Sequence, residues 1–182
     1  MGRYVALLRG INVGGNNLIK MAELKACFEK QGFGDVATYI QSGNVLFSSS
    51  ESARELVGRI EAVLGKTFDY RASVVLRSRK ELEAIVERAP EGFGEEPAKY
   101  RYDVIFLKAP LTAPAAMKSV PTRQGVDQAH AGRDVLYFSR LIKKASQSRL
   151  GKIVSLPIYK NMTIRNWNTT TKLLALMNAA GD

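Results

Sequence analysis

Residues 9–20 read RGINVGGNNLIK and residues 41–44 read QSGN. Glycine admits positive φ, which lets successive backbone N–H groups converge on an anion, while asparagine, glutamine and serine add neutral donors and acceptors. With Arg9 and Lys20 flanking the glycines, the candidates for an anion-holding site are Arg9, Gly10, Asn12, Gly14, Gly15, Asn16, Lys20, Gln41, Ser42 and Asn44. A second cluster, TIRNWNTTTK at 163–172, puts Arg165, Asn166 and Asn168 beside the only tryptophan, Trp167, ahead of an apolar run. A helix beginning there, capped by Asn168 or Thr169, disfavours an arginine at its positive end unless an anion or acidic partner is present.

The spacing Gly10-x-x-x-Gly14-Gly15 is not the dinucleotide fingerprint, and no GK[ST] follows to make a phosphate loop. Alternatively, glycine and asparagine satisfy turn geometry here and nothing more. Catalytic patterns are missing: there is no HExxH, no GxSxG and no close pair of carboxylates in the polar loops. The Ser139/Lys143 and Ser148/Lys152 spacings read as surface residues of a lysine-rich stretch. An enzyme is left as a transferase or hydrolase acting through orientation and electrostatics, with no reaction specified. One cysteine, Cys27, within a helical pattern reads as a packed thiol, and one histidine, His130, as a surface or structural residue. Neither supports a metal centre.

The chain has 182 residues, 46% of them hydrophobic, enough for a core. Its apolar runs fall far short of the ~20 residues a membrane helix needs, and MGRYVALLRG lacks the pattern of a signal peptide, so a soluble, cytoplasmic protein is expected. Net charge is +10, and Lys118 to Lys172 hold eleven basic residues against Asp127 and Asp134. Such a field attracts nucleic acid, phosphorylated small molecules or acidic proteins, or serves solubility alone. The sequence leaves both cofactor and oligomeric state open.

These residues need a scaffold. Arg3–Leu8 predicts a buried strand, 21–31 a helix ending at Gly32, and 36–40 and 44–48 a hairpin. Ser52 and Glu55 form a capping box for a helix stopped at Gly65, and 72–78 predicts a fourth strand. This β-α-β-β-α-β order is the ferredoxin-like pattern, whose crossovers bring the loops after the first two strands to one end of the sheet. The rest repeats the pattern imperfectly: a helix boxed by Ser78 and Glu81, a breaker-rich loop at 90–97, a strand at 102–107, a short helix at 113–118, a hairpin at 126–139 and a helix from about 168 to 178. The expected fold is α+β, with two ferredoxin-like (α/β-plait) units of antiparallel sheet at 1–78 and 79–182.

The strings RGINVGG, SGN and RNWNT, at Arg9–Gly15, Ser42–Asn44 and Arg165–Thr169, resemble the bacterial family of domain of unknown function 1697. That resemblance implies a pair of plait units and brings no activity, cofactor or site residues. The function expected from the residues is binding of an anionic ligand, such as a nucleotide, phosphometabolite or nucleic-acid backbone, at the loop end of the first sheet, completed by Arg165 and Asn166. The alternatives are nucleic-acid binding through the basic C-terminal region, an enzyme, and a protein-interaction domain whose basic segment docks an acidic partner.

Overall fold

A computed structural model describes residues 1–180. By internal contacts the chain falls into two compact units, one formed by Met1–Glu83 with the segment from Lys172, the other by Ala84–Thr171. The division falls at Glu83/Ala84, and the residues from Lys172 onward group with the first unit.

The first unit contains β1 (Gly2–Leu8), α1 (Met21–Lys30), β2 (Gly34–Tyr39), β3 (Asn44–Ser49), α2 (Ala53–Phe68) and β4 (Val74–Ser78). Its antiparallel sheet has the order β2-β3-β1-β4. One face of β1 and β3, through Ala6, Leu8, Val45 and Phe47, packs with Leu24 and Phe28 of α1 and Leu56, Ile60 and Leu64 of α2. The opposite face, including Val5, Leu7 and Leu46, is buried as well, which explains the unbroken apolar run in β1.

The capping box forms as the spacing predicts. Ser52 Oγ accepts from Glu55 N at 3.4 Å, and Ser52 N donates to Glu55 Oε2 at 3.2 Å. Helix α2 does not stop at Gly65 but continues to Phe68, where Asp69 takes a left-handed cap at φ 49°. Gly65 serves a different purpose: a Cβ there would lie 3.3 Å from the Tyr70 carbonyl, so its absence lets the returning chain close over the helix. An interior glycine costs a helix about 1 kcal/mol, too little to end one that buries an apolar face.

The second unit holds the end of α3 (Arg79–Glu87), then β5 (Tyr100–Leu107), α4 (Ala113–Ser119), β6 (Asp127–Ala131), β7 (Val135–Leu141), three 3-10 turns between Ile142 and Asn161, β8 (Met162–Asn166) and the start of α5 (Trp167–Ala179). Its sheet has the order β6-β7-β5-β8, also antiparallel, and so repeats the connectivity of the first. Ile105, Leu136 and Phe138 pack against Ala113 and Ala116 of α4 and against Leu150 and Ile153 of the 3-10 turns. Strand β8 has no counterpart in the sequence reading, because MTIRN is short and half polar and gives no clear period.

Candidate functional site

Strands β1 and β2 both run antiparallel to β3, so the loops that leave them emerge together. Leu8 N donates to the Gly43 carbonyl at 2.8 Å, and Asn12 Nδ2 donates to the Gln41 carbonyl at 2.8 Å. The first loop is itself a miniature hairpin. Val13 bridges Asn16, with Gly14 and Gly15 at φ 59° and 79° forming the two-residue turn that requires positive φ.

The side chains expected to face a ligand there are largely engaged with backbone. Asn12 also donates to Ile19 O at 3.0 Å and accepts from Ile19 N at 2.8 Å, while Asn17 donates to Gly10 O at 2.8 Å. Asn44 is fully buried and donates to Tyr39 O at 2.8 Å and to Ser42 Oγ at 3.1 Å. Lys20 lies 3.9 Å from Glu23, and Arg9 is half-buried. Gly10, Gly14, Gly15, Asn16 and Gln41 are exposed, but so are the aliphatic side chains of Val13, Leu18 and Ile40. Topology therefore joins the two loops, and the joining itself consumes most of their polar groups.

The second cluster is parted by strand alternation. Arg165 is buried within β8, its Nη1 donating to Ile164 O at 2.9 Å, and burial pushes its guanidinium down to about 10. Asn166, the next residue, points to the opposite face. There Asn166 Oδ1 accepts from Thr169 N at 2.7 Å, so Asn166 caps α5 in place of Asn168 or Thr169.

Asn166, Trp167 and Asn168 line a cavity of about 440 Å³ whose other walls include Tyr100, Arg101, Asp103 and Arg140. Its position follows from register. Across the sheet Arg101 faces Arg140, and Asp103 faces Asn166, so residues from β5, β7 and β8 meet at one end. Asp103 is 9% exposed, and among the described residues its Oδ2 has no hydrogen-bond donor; Arg140 Nη2 lies at 3.9 Å, beyond hydrogen-bond reach. Arg140 Nε is likewise buried and unmatched. Burial pushes the Asp103 carboxyl above its ordinary value, and attraction to Arg140 and then Arg101 opposes that only in part. Trp167 is held from behind by Phe93 of the 90–97 loop, edge to face at 5.1 Å between centroids.

Sequence reasoning missed Arg101, Asp103 and Arg140. Their one local signal is YRYD directly ahead of the apolar VIFL, which places an acid and a base within a strand that continues into the core. Cys27 is buried and His130 exposed, as their settings predict. Among the described residues no three His, Cys, Asp or Glu side chains converge as a metal site.

The family model described as "Protein of unknown function (DUF1697)" matches residues 1–137. The chain belongs to that family. A solved structure similar to this family member is the conserved bacterial protein SP0830 from Streptococcus pneumoniae, with a TM-score of 0.84 and 29% identity over 97% of this chain and 98% of that one. No curated protein matches.

Proposed function

We propose that this protein binds a small anionic molecule in the cavity at the end of the second sheet. One observation carries the assignment: Arg101 and Arg140 stand directly opposite each other on β5 and β7, at the wall of a cavity of about 440 Å³. Like charges facing across a sheet destabilise it, and an anion between them turns that cost into binding energy. The volume suits a small ligand. Two ferredoxin-like scaffolds are the framework for this reading, supported by the repeated strand order.

Calorimetric titration with inorganic phosphate, pyrophosphate and nucleoside monophosphates tests the proposal. Binding of at least one, weakened about tenfold or more by Arg140→Ala, is expected. Absence of binding, or affinity unchanged in both Arg101→Ala and Arg140→Ala, overturns it.

A second reading is nucleic-acid binding, favoured by the exposed positions of Lys143, Lys144, Arg149, Lys152 and Lys160 along the 3-10 turns. Phosphate contacts there predict affinity for single- or double-stranded DNA or RNA that falls steeply with salt. No retardation at low salt rejects it.

A further inference from the structure

Where the 90–97 loop meets the face of the second sheet opposite α4, it leaves a separate cavity of about 190 Å³. Register puts its sheet residues on one side. Tyr100 and Tyr102 are two apart on β5, Tyr102 stands across from Ser139 on β7, and Ser139 across from Gln128 on β6. Arg101 and Asp103 alternate to the other face, so this cavity takes its own ligand and does not depend on the anion-binding reading. Phe93 of the loop meets Tyr102 edge to face at 4.9 Å between centroids, and Tyr100 lies 6.0 Å from Tyr102 with the rings at 45°, so the aromatic wall is concave rather than stacked. Glu96 N donates to Tyr102 Oη at 3.2 Å, which ties the loop to the strand. Glu91 and Glu96 are exposed at the rim, and no lysine or arginine is among the described residues lining the cavity. On the sheet side Ser139 is 6% exposed; its hydroxyl has no hydrogen-bond partner among the described residues, yet it is not one of the polar atoms sealed from solvent.

Aromatic faces beside carboxylates attract a cation, and a buried hydroxyl without a partner accepts a hydrogen bond from one that carries N–H groups. The chain's own Lys99 makes this pairing from outside the cavity, its Nζ 5.1 Å from the Tyr100 centroid and 3.5 Å from Glu96 Oε1. That pair is exposed and weak enough to exchange. We propose that the cavity binds a protonated primary alkylamine, its ammonium held between Tyr102 and Ser139 and donating to Ser139 Oγ, with the Glu91 and Glu96 carboxylates supplying the opposite charge at the rim. The volume lies below the roughly 300 Å³ of common ligand pockets, so it suits one small head group and not a nucleotide. A quaternary ammonium keeps the charge but has no N–H for Ser139, and an alcohol keeps a donor without the charge.

The test is an NMR titration of the isotope-labelled full chain with butylammonium, butyltrimethylammonium and butanol. Butylammonium is expected to shift the amides of Tyr102, Ser139 and Gln128. Loss of its hydrogen bond costs about tenfold, so butyltrimethylammonium is expected to bind that much more weakly, and Ser139→Ala to weaken butylammonium by the same factor. Glu91→Gln, a surface change, is expected to weaken it about twofold to fivefold, and Lys99→Ala, which releases Glu96 and Tyr100, to strengthen it by a similar factor. Because the comparison among ligands needs no variant, a misfolded Ser139→Ala does not spoil it. No shift of these amides by butylammonium up to about 50 mM overturns the proposal, as does equal affinity for butylammonium and either of the other two probes. Wild-type affinity in both Ser139→Ala and Glu91→Gln overturns it as well.

Discussion

Asn12 Nδ2 donates to the Gln41 carbonyl at 2.8 Å, tying the loop after β1 to the turn after β2. The same side chain closes its own loop through both the N–H and the carbonyl of Ile19. Three bonds worth about 0.5–1.5 kcal/mol each, the loop being partly exposed, give an expected loss of about 2 kcal/mol for Asn12→Ala. Urea denaturation measures the loss, and hydrogen exchange at the Ile19 amide should rise with it. An unchanged midpoint would mean that the loop holds its shape without this side chain.

Ile40 sits in the turn joined to that loop, at φ 51° and 47% exposed. A β-branched residue in the left-handed region is strained by about 1–2 kcal/mol, whereas asparagine adopts it readily. Ile40→Asn is therefore expected to be about 1 kcal/mol more stable than Ile40→Ala, since both lose the same apolar contacts and only alanine keeps the strain. Paired urea titrations of the two variants make the comparison.

Gly94, at φ 90°, lies against the indole of Trp167, and a Cβ there would be 2.3 Å from Nε1. Gly94→Ala should displace Trp167, shift its fluorescence and destabilise the fold by about 3 kcal/mol, combining left-handed strain with overpacking. Since Trp167 lines the cavity, the affinity for an anion that binds there should fall in the same variant. Wild-type fluorescence and affinity in Gly94→Ala would count against Trp167 as a fixed wall.

Asp103 makes stability depend on pH. Its carboxyl is raised in the folded chain, so the unfolded chain gives up this proton at a lower pH than the folded one. Its contribution is full below the ordinary carboxylate range and is lost as pH rises through the raised folded value. Asp103→Asn should then unfold at a higher temperature than the wild type at pH 7, with the difference vanishing near pH 3. Thermal scans across that range would contradict the assignment if the variant were the less stable at neutral pH.

Local chemistry made part of this molecule legible from sequence. Both capping boxes form where their spacing places them: Glu81 N donates to Ser78 Oγ at 3.3 Å, and Glu55 N to Ser52 Oγ at 3.4 Å. Each joins residues three apart, so no distant partner decides it. The meeting of the 9–20 and 41–44 loops was also within reach, since the chirality and order of the elements dictate which loops share a sheet end.

What the loops do with their asparagines was not. Asn12 reads in sequence as a ligand group and in the structure as a clamp, because its bonds go to backbone that only the folded loop brings near. Arg165 and Asn166 are neighbours in sequence, and the pairing of β8 with β5 sends them to opposite faces. The same pairing sets Asn166 across from Asp103, while β7 brings Arg140 opposite Arg101. Helix caps, turns and apolar periods were determined by the sequence itself, through interactions a few residues long. The cavity was decided by tertiary structure alone, because a shift of one residue in either strand register would carry its side chains to the other face.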